Sequence, residues 1–453
     1  MEEKKYLKWY NKVGYGSGDI AGNVVYAFLS SFVMIFLTDT VGLNAGVVGT
    51  LMMFSKLFDG VTDIFFGSMI DKTKSKMGKA RPWMLWAYFG CAAMIIAIFA
   101  IPVDLGETAK YAWFFIAYTA LNAVFYTANN IAYSALTSLI TKNSSERVQM
   151  GSIRFMFAFG TSLLIQTITV DAVKIMGGGA RGWRTVAVIY AVIGLIVNTI
   201  SALSVKELSS AELEETNSSK ETEEKYSLKD AVKLLAANKY YMMICGIYIL
   251  MQIFTATLNM GIYFMTYILG NASLLGVFSM AVNIPLICGL VFTPMLVKKF
   301  RGMYKINLAG YALATVARGL VIVAGYMGNL PLMLLFTGAA SIGMSPLQGD
   351  LNALIASCSE YTFLTKKKRI DGTMFSCTSL GVKIGGGIGT ALAGWLLAAS
   401  GYVANAAEQV PSCINMLYFM YLWIPMIINL IITVVLSRLK VEQANERIEG
   451  NRV

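Results

Sequence analysis

The sequence predicts an all-α integral membrane fold, with twelve transmembrane helices in two pseudo-symmetric six-helix bundles. Three observations carry that prediction. Hydrophobic residues make up 56% of the 453 positions and charged residues only 14%, more apolar surface than a soluble chain of this length hides. Apolar runs long enough for a hydrocarbon core of roughly 30 Å recur along the whole chain. A single long polar stretch, residues 205–239, divides those runs six and six.

The first six runs lie near 14–37, 46–70, 83–103, 112–139, 149–170 and 185–204. The second six lie near 241–269, 273–297, 306–326, 330–356, 373–399 and 413–437. Of the 37 Lys and Arg residues, 29 sit at the N-terminus, the even-numbered connections and the C-terminus. The odd-numbered connections hold only Lys110, Lys174, Arg181 and Arg184. By the positive-inside rule both termini face the cytoplasm. The expected organisation is residues 1–204 as an N-terminal six-helix bundle with a cation site, 205–239 as a cytoplasmic linker, and 240–453 as a C-terminal bundle with a cytoplasmic tail. Ser, Glu and Lys dominate 206–230, and a short helix is expected around Leu228–Leu235. Two such halves suggest a parallel repeat that rocks around a midplane site.

The composition also excludes function classes. The net charge of +11 is spread between apolar runs rather than gathered on one basic domain, which argues against nucleic acid. Cysteines 91, 245, 288, 358, 377 and 413 are scattered singly, without metal or redox spacing. With no histidine, the commonest proton shuttle is missing. No nucleophile–base pair, metal cluster or phosphate-cradling loop is visible, so an enzyme is not expected. The first apolar run lacks a short h-region and cleavage site and reads as a retained helix.

Ionisable groups at membrane depth need a reason. The first span offers Asp19, Asn23 and Tyr26 at i, i+4 and i+7. In the second span Lys56, Asp59 and Asp63 are spaced three then four, one helical face, with Thr62 beside them. Asp59 lies about 18 Å from Asp71 at the helical rise. Two carboxylates with hydroxyl oxygens suit a hard monovalent cation, and one carboxyl with a raised pKa suits a proton. The bland alternative is an intrahelical Lys56–Asp59 pair, which leaves Asp63 over. The fourth span carries Asn122, Tyr126, Thr127, Asn129 and Asn130. Amides and tyrosines of this kind bind hydroxyl-rich solutes, or simply bond helix to helix. Arg154 lies a few residues into the fifth span, within snorkelling reach of the interface. Arg318 in the ninth span has no evident partner, and a structural pair within the second half rivals a site role. Lys383, about ten residues into the eleventh span, is too deep to snorkel.

These runs resemble the glycoside–pentoside–hexuronide:cation symporter family of the major facilitator superfamily, over nearly the whole chain. The resemblance rests on Tyr15-Gly16-Ser17-Gly18-Asp19-Ile20-Ala21-Gly22-Asn23, Phe36-Leu37-Thr38-Asp39, Phe58-Asp59-Gly60-Val61-Thr62-Asp63 and Gly78-Lys79-Ala80-Arg81-Pro82-Trp83. Arg369-Ile370-Asp371-Gly372, Lys383-Ile384-Gly385-Gly386 and Ala393-Gly394-Trp395 extend it into the second half. It implies the major facilitator fold, a cation site at Asp59 and Asp63 with Thr62 and Thr127, and basic residues of the substrate cavity at Arg154 and Lys383. The melibiose branch carries asparagine where Thr62 stands. Its sugar-binding aspartates fall at Asn23 and Asn130 and its fourth-span tryptophan at Ser134, so the match is nearer the glucuronide and xyloside branches. The family's acidic stretch after the tenth span reads Ser357-Cys358-Ser359-Glu360-Tyr361-Thr362-Phe363 here.

The expectation is therefore a multi-pass plasma-membrane carrier that moves a sugar (glycoside, pentoside or hexuronide) in symport with a cation, by alternating access. Asp59, Asp63, Thr62 and Thr127 would bind the cation. Asn23, Tyr26, Tyr126, Asn130, Arg154 and Lys383 would bind the sugar, with Lys56 and Asp19 as charge partners. No cofactor is expected beyond the coupling ion, Na+ or H+ with Li+ admissible, and the partners are sugar, cation and bilayer. Arg154 and Lys383 beside asparagines suggest an anionic substrate such as a hexuronide. The rivals are an uncoupled facilitator, a carrier of a non-sugar solute and a membrane sensor.

Overall fold

A computed structural model describes residues 5–141, 143–208, 228–300, 302–366 and 371–450. The linker segment 209–227 and the motif residues Arg369 and Ile370 lie outside them. Every regular element among the described residues is a helix. Ten helical segments are long and apolar enough to cross a membrane. The two other expected spans, Ala45–Lys72 and the run from Glu107 to Leu139, fall short because they carry the polar residues named above. With these included, the architecture is a twelve-helix membrane bundle.

The chain forms two compact units, Met1–Glu223 with Tyr402–Glu408, and Glu224–Gly401 with Gln409–Val453. Unit 1 contains α1 (Trp9–Gly16), α2 (Gly18–Ile35), α3 (Ala45–Lys72), α4 (Arg81–Phe99), α5 (Glu107–Thr119), α6 (Thr127–Leu139), α7 (Ser144–Ile175) and α8 (Gly179–Ser204). A π-helical turn, Ala120–Tyr126, joins α5 to α6, and another, Phe36–Thr40, follows α2. Wide turns of this kind interrupt the regular ladder and recur at functional sites.

Side chains close the ends of these helices. The Asn44 carbonyl oxygen accepts from the amides of Gly46 and Val47 and starts α3. The Glu207 carboxylate accepts from the amides of Lys79, Ala80 and Arg81 at 2.7, 2.9 and 2.9 Å, which caps α4 across 126 to 128 residues of sequence. Gly78 beside it has φ +106°, and a Cβ there would overlap that carboxylate. Glu146 accepts from the Thr141 hydroxyl at 2.7 Å and the amides of Leu7 and Tyr6, and pairs with Lys12 at 3.3 Å. Burial pushes its carboxyl up, but these donors outweigh burial and hold it below the ordinary carboxylate value. Inside the unit, Asn129 and Asn198 bond each other and both donate to the Met84 carbonyl, tying α6, α8 and α4. The segment Tyr402–Glu408 belongs to unit 1 through the Tyr402 hydroxyl on Asp39 and the Asn405 amide on the Asp39 carbonyl.

Unit 2 contains α9 (Leu228–Ala237), α10 (Lys239–Asn259), α11 (Gly261–Tyr267), α12 (Leu274–Phe300), α13 (Tyr304–Tyr326), α14 (Leu330–Lys366), α15 (Asp371–Ala399), α16 (Pro411–Tyr418), α17 (Ile424–Arg438) and α18 (Val441–Gly450). A third π turn, Phe419–Trp423, lies between α16 and α17. The Glu442 carboxylate caps α13 through the amides of Met303 and Tyr304, both at 3.0 Å. An acid following the last long helix of each unit thus closes the start of its third span. α13 and α14 cross at Gly310 and Gly343, where a Cβ on either would strike the other's carbonyl. Pro346 removes a helical donor within α14, and the Ser345 hydroxyl donates to the Ile342 carbonyl at 2.7 Å in its place.

Candidate functional site

Two polar centres stand in unit 1. The first joins α3 to α6. The Thr127 hydroxyl reaches Asp59 Oδ1 and also the Asn122 carbonyl, at 2.8 Å. With one proton it donates to one acceptor at a time, so its own oxygen is available to a cation whenever the Asn122 carbonyl takes that proton. The π turn before Thr127 is what brings that residue and the Asn122 carbonyl together. Lys56 exerts its charge on Asp59 from one turn away. Asp63 is partly buried on the same helix, with Thr62 turned back toward the Phe58 and Asp59 carbonyls at 3.2 Å.

The second centre surrounds Arg154. Its Nε donates to Asp19 Oδ2 at 2.7 Å, with both side chains less than a quarter exposed. The guanidinium lies over the Tyr133 ring, 4.1 Å from its centroid, and beside the Tyr15 ring at 5.8 Å. The Tyr133 hydroxyl donates to the same Asp19 oxygen at 2.9 Å. The Tyr15 hydroxyl lies 2.6 Å from Thr137 Oγ1. Arg154 is therefore met by a carboxylate and two aromatic faces.

The remaining unit 1 candidates lie around these centres. Asn23 donates its amide to the Asp19 carbonyl at 2.9 Å and keeps its oxygen for other partners. Tyr26 is 55% exposed. Tyr126 and Asn130 interact with each other, and Asn130 is exposed. Lys383 belongs to unit 2, partly buried on α15.

Sequence reasoning missed Tyr133, Thr137 and Tyr118. Tyr118 is buried on α5, next to both Asp59 and Tyr26. The signal for the first two was present: Tyr126, Asn130, Tyr133 and Thr137 continue one helical stripe at steps of four, three and four. Arg318 is corrected as well. It is buried, and among the described residues it forms no ion pair, so a structural pair within the second half is excluded there. Asp350, also missed, is buried in α14 beside the Asn307 side chain.

A family model described as MFS/sugar transport protein matches residues 14–443. The isoprimeverose transporter of Lactiplantibacillus pentosus is 29% identical over 430 residues, covering 94% of this chain and 87% of that protein. The inner membrane symporter YicJ of Escherichia coli (strain K12) is 24% identical over 441 residues, covering 96% and 92%. A crystal structure of a D-xylose-proton symporter superposes with a TM-score of 0.63 at 14% identity, covering 95% of this chain and 97% of that one. That last likeness concerns the fold alone.

Proposed function

This chain belongs to the MFS/sugar transport protein family, and from that premise we propose how it works: as a secondary active transporter that carries a sugar in symport with a monovalent cation, by alternating access. It is a carrier and not an enzyme. The observation that carries the reading is the Asp59–Thr127 contact between α3 and α6, with Tyr118 and Tyr26 alongside. Asp59, Asp63, Thr127 and Thr62 are the cation's oxygen donors. A cation bound there cancels negative charge at membrane depth, and Tyr118 lies near both that charge and Tyr26. Sugar and cation then tighten each other's binding by an equal factor.

Asn23, Tyr26, Tyr126 and Asn130 take the sugar hydroxyls and ring faces. Because Asp19 already neutralises Arg154, the substrate class this site favours is a neutral glycoside rather than a hexuronide. The Arg154–Asp19 pair offers both a donor and an acceptor to vicinal hydroxyls. Lys383 of unit 2 is a further sugar-binding candidate. The relative named as an isoprimeverose transporter supports a glycoside, and the relative named as a symporter supports coupling. The positive-inside asymmetry supports a plasma-membrane protein with both termini cytoplasmic.

Uptake of a sugar panel into proteoliposomes tests this, with sodium, lithium and proton gradients imposed one at a time. Asp59→Asn is expected to lose accumulation while retaining downhill exchange. Full accumulation by that variant would refute the site. Equal competition by glucuronides and neutral glycosides would refute the neutral class alone.

A further inference from the structure

Arg318 of unit 2 takes no part in the transport site described above. It lies on α13, buried to 3% exposure, fifteen positions into a helix that runs Tyr304–Tyr326. Its Nε and Nη2 are buried without an acceptor. The guanidinium stands over the Phe254 ring of α10, 5.2 Å from the centroid. On another side is Tyr421, carried by the π turn Phe419–Trp423, close enough that its hydroxyl and the guanidinium act on each other.

The chemistry of this group restricts how its cost can be met. A buried carboxyl can neutralise itself by taking a proton, but a guanidinium stays charged in a protein. A ring face compensates only part of the desolvation of a cation at membrane depth. Neither a carboxylate nor a carbonyl among the described residues accepts from Nε or Nη2. An anion from outside the chain is a group that can accept from both nitrogens. At 3% exposure, with Phe254 against one face, a sugar acid is too large for the position.

We propose that Arg318 Nε and Nη2, with the Tyr421 hydroxyl, form a binding site for a small monovalent anion of the halide class within unit 2. The anion neutralises the guanidinium between α10, α13 and the π turn. The site is independent of the cation and sugar residues of unit 1, so it stands or falls separately from them.

Thermal unfolding of the purified full-length protein tests the site, titrated with sodium chloride or bromide against sodium gluconate at constant ionic strength. The expected result is a saturable rise in Tm with chloride and bromide that gluconate does not give. Arg318→Met should abolish the saturable shift. Tyr421→Phe, which keeps the ring, should weaken it about tenfold, the effect of one hydrogen bond to a charged group. Should Arg318→Met fail to fold, Tyr421→Phe together with a bromide anomalous peak beside Arg318 in crystals of the unaltered protein decides the matter. A Tm that tracks ionic strength alone overturns the proposal. So does a saturable chloride effect untouched by both substitutions, and so does protection by glucuronate but not chloride, which would make the anion a substrate carboxylate.

Discussion

The two units deal with buried charge in opposite ways. In unit 1, Arg154 meets Asp19 at 2.7 Å inside a frame of tyrosines, and Asp59 meets the Thr127 hydroxyl with Lys56 one turn away. In unit 2, Arg318 is buried with Nε and Nη2 that no described residue satisfies, and Asp350 is buried beside the uncharged Asn307 side chain. Paired charge can be exchanged for a ligand at little net cost, because the incoming group replaces a partner already present. Unpaired buried charge must bind something or, for an acid, lose its charge.

The sharpest way to break that contrast is to neutralise one acid in each unit. Asp19→Asn removes the counter-charge of Arg154 and should destabilise the protein by on the order of 2 kcal/mol, with loss of sugar uptake. Asp350→Asn leaves an amide that the neighbouring Asn307 side chain can still bond, and should change stability by less than about 0.5 kcal/mol, or raise it. Thermal unfolding of both variants checks this, and equal losses would remove the distinction. The double substitution of Asp19→Asn with Arg154→Met should be less destabilising than Asp19→Asn alone, since it leaves no stranded charge.

Next in size are the two acids that cap the third span of each unit. Glu207→Ala and Glu442→Ala should each cost about 1 kcal/mol in thermal unfolding, as helix caps do. Gly78→Ala should cost more than either, because it adds both backbone strain and overlap with Glu207. The smallest expected effect concerns pH. The Glu146 carboxyl is held below its ordinary value, so its contribution to stability is full above the unfolded-state value and disappears as pH falls through the folded one. Acidification through the carboxylate range should lower Tm in the unaltered protein, and Glu146→Gln should flatten that dependence.

Much of this was legible in the sequence because a bilayer demands long apolar helices and punishes stray charge. Asp59, Asp63 and Arg154 announced themselves for that reason. The converse also applied, since α3 and the Glu107–Leu139 run are the least apolar of the expected spans, dense in Lys56, Asp59, Asp63, Asn122 and Thr127. Long-range geometry was not legible. The Glu207 cap closes across more than 120 residues of sequence, and no local pattern links the two ends. The π turn that brings Thr127 beside Asp59 has no residue signature of its own. Asp19 reads as a charge partner in the sequence, but the 135 positions between it and Arg154 hide the contact between the two. Tyr133 was overlooked because tyrosine in an apolar span ordinarily reads as packing.

The central claim is that one cation, held at Asp59 and Thr127, tightens sugar binding. It is tested most directly by sugar affinity measured across a cation titration, in the unaltered protein, Thr127→Ala and Asp59→Asn. Saturating cation should raise sugar affinity by a factor on the order of ten in the unaltered protein. Thr127→Ala should need about tenfold more cation for the same effect, and Asp59→Asn should show none. Sugar affinity that responds identically to cation in all three proteins would contradict the account.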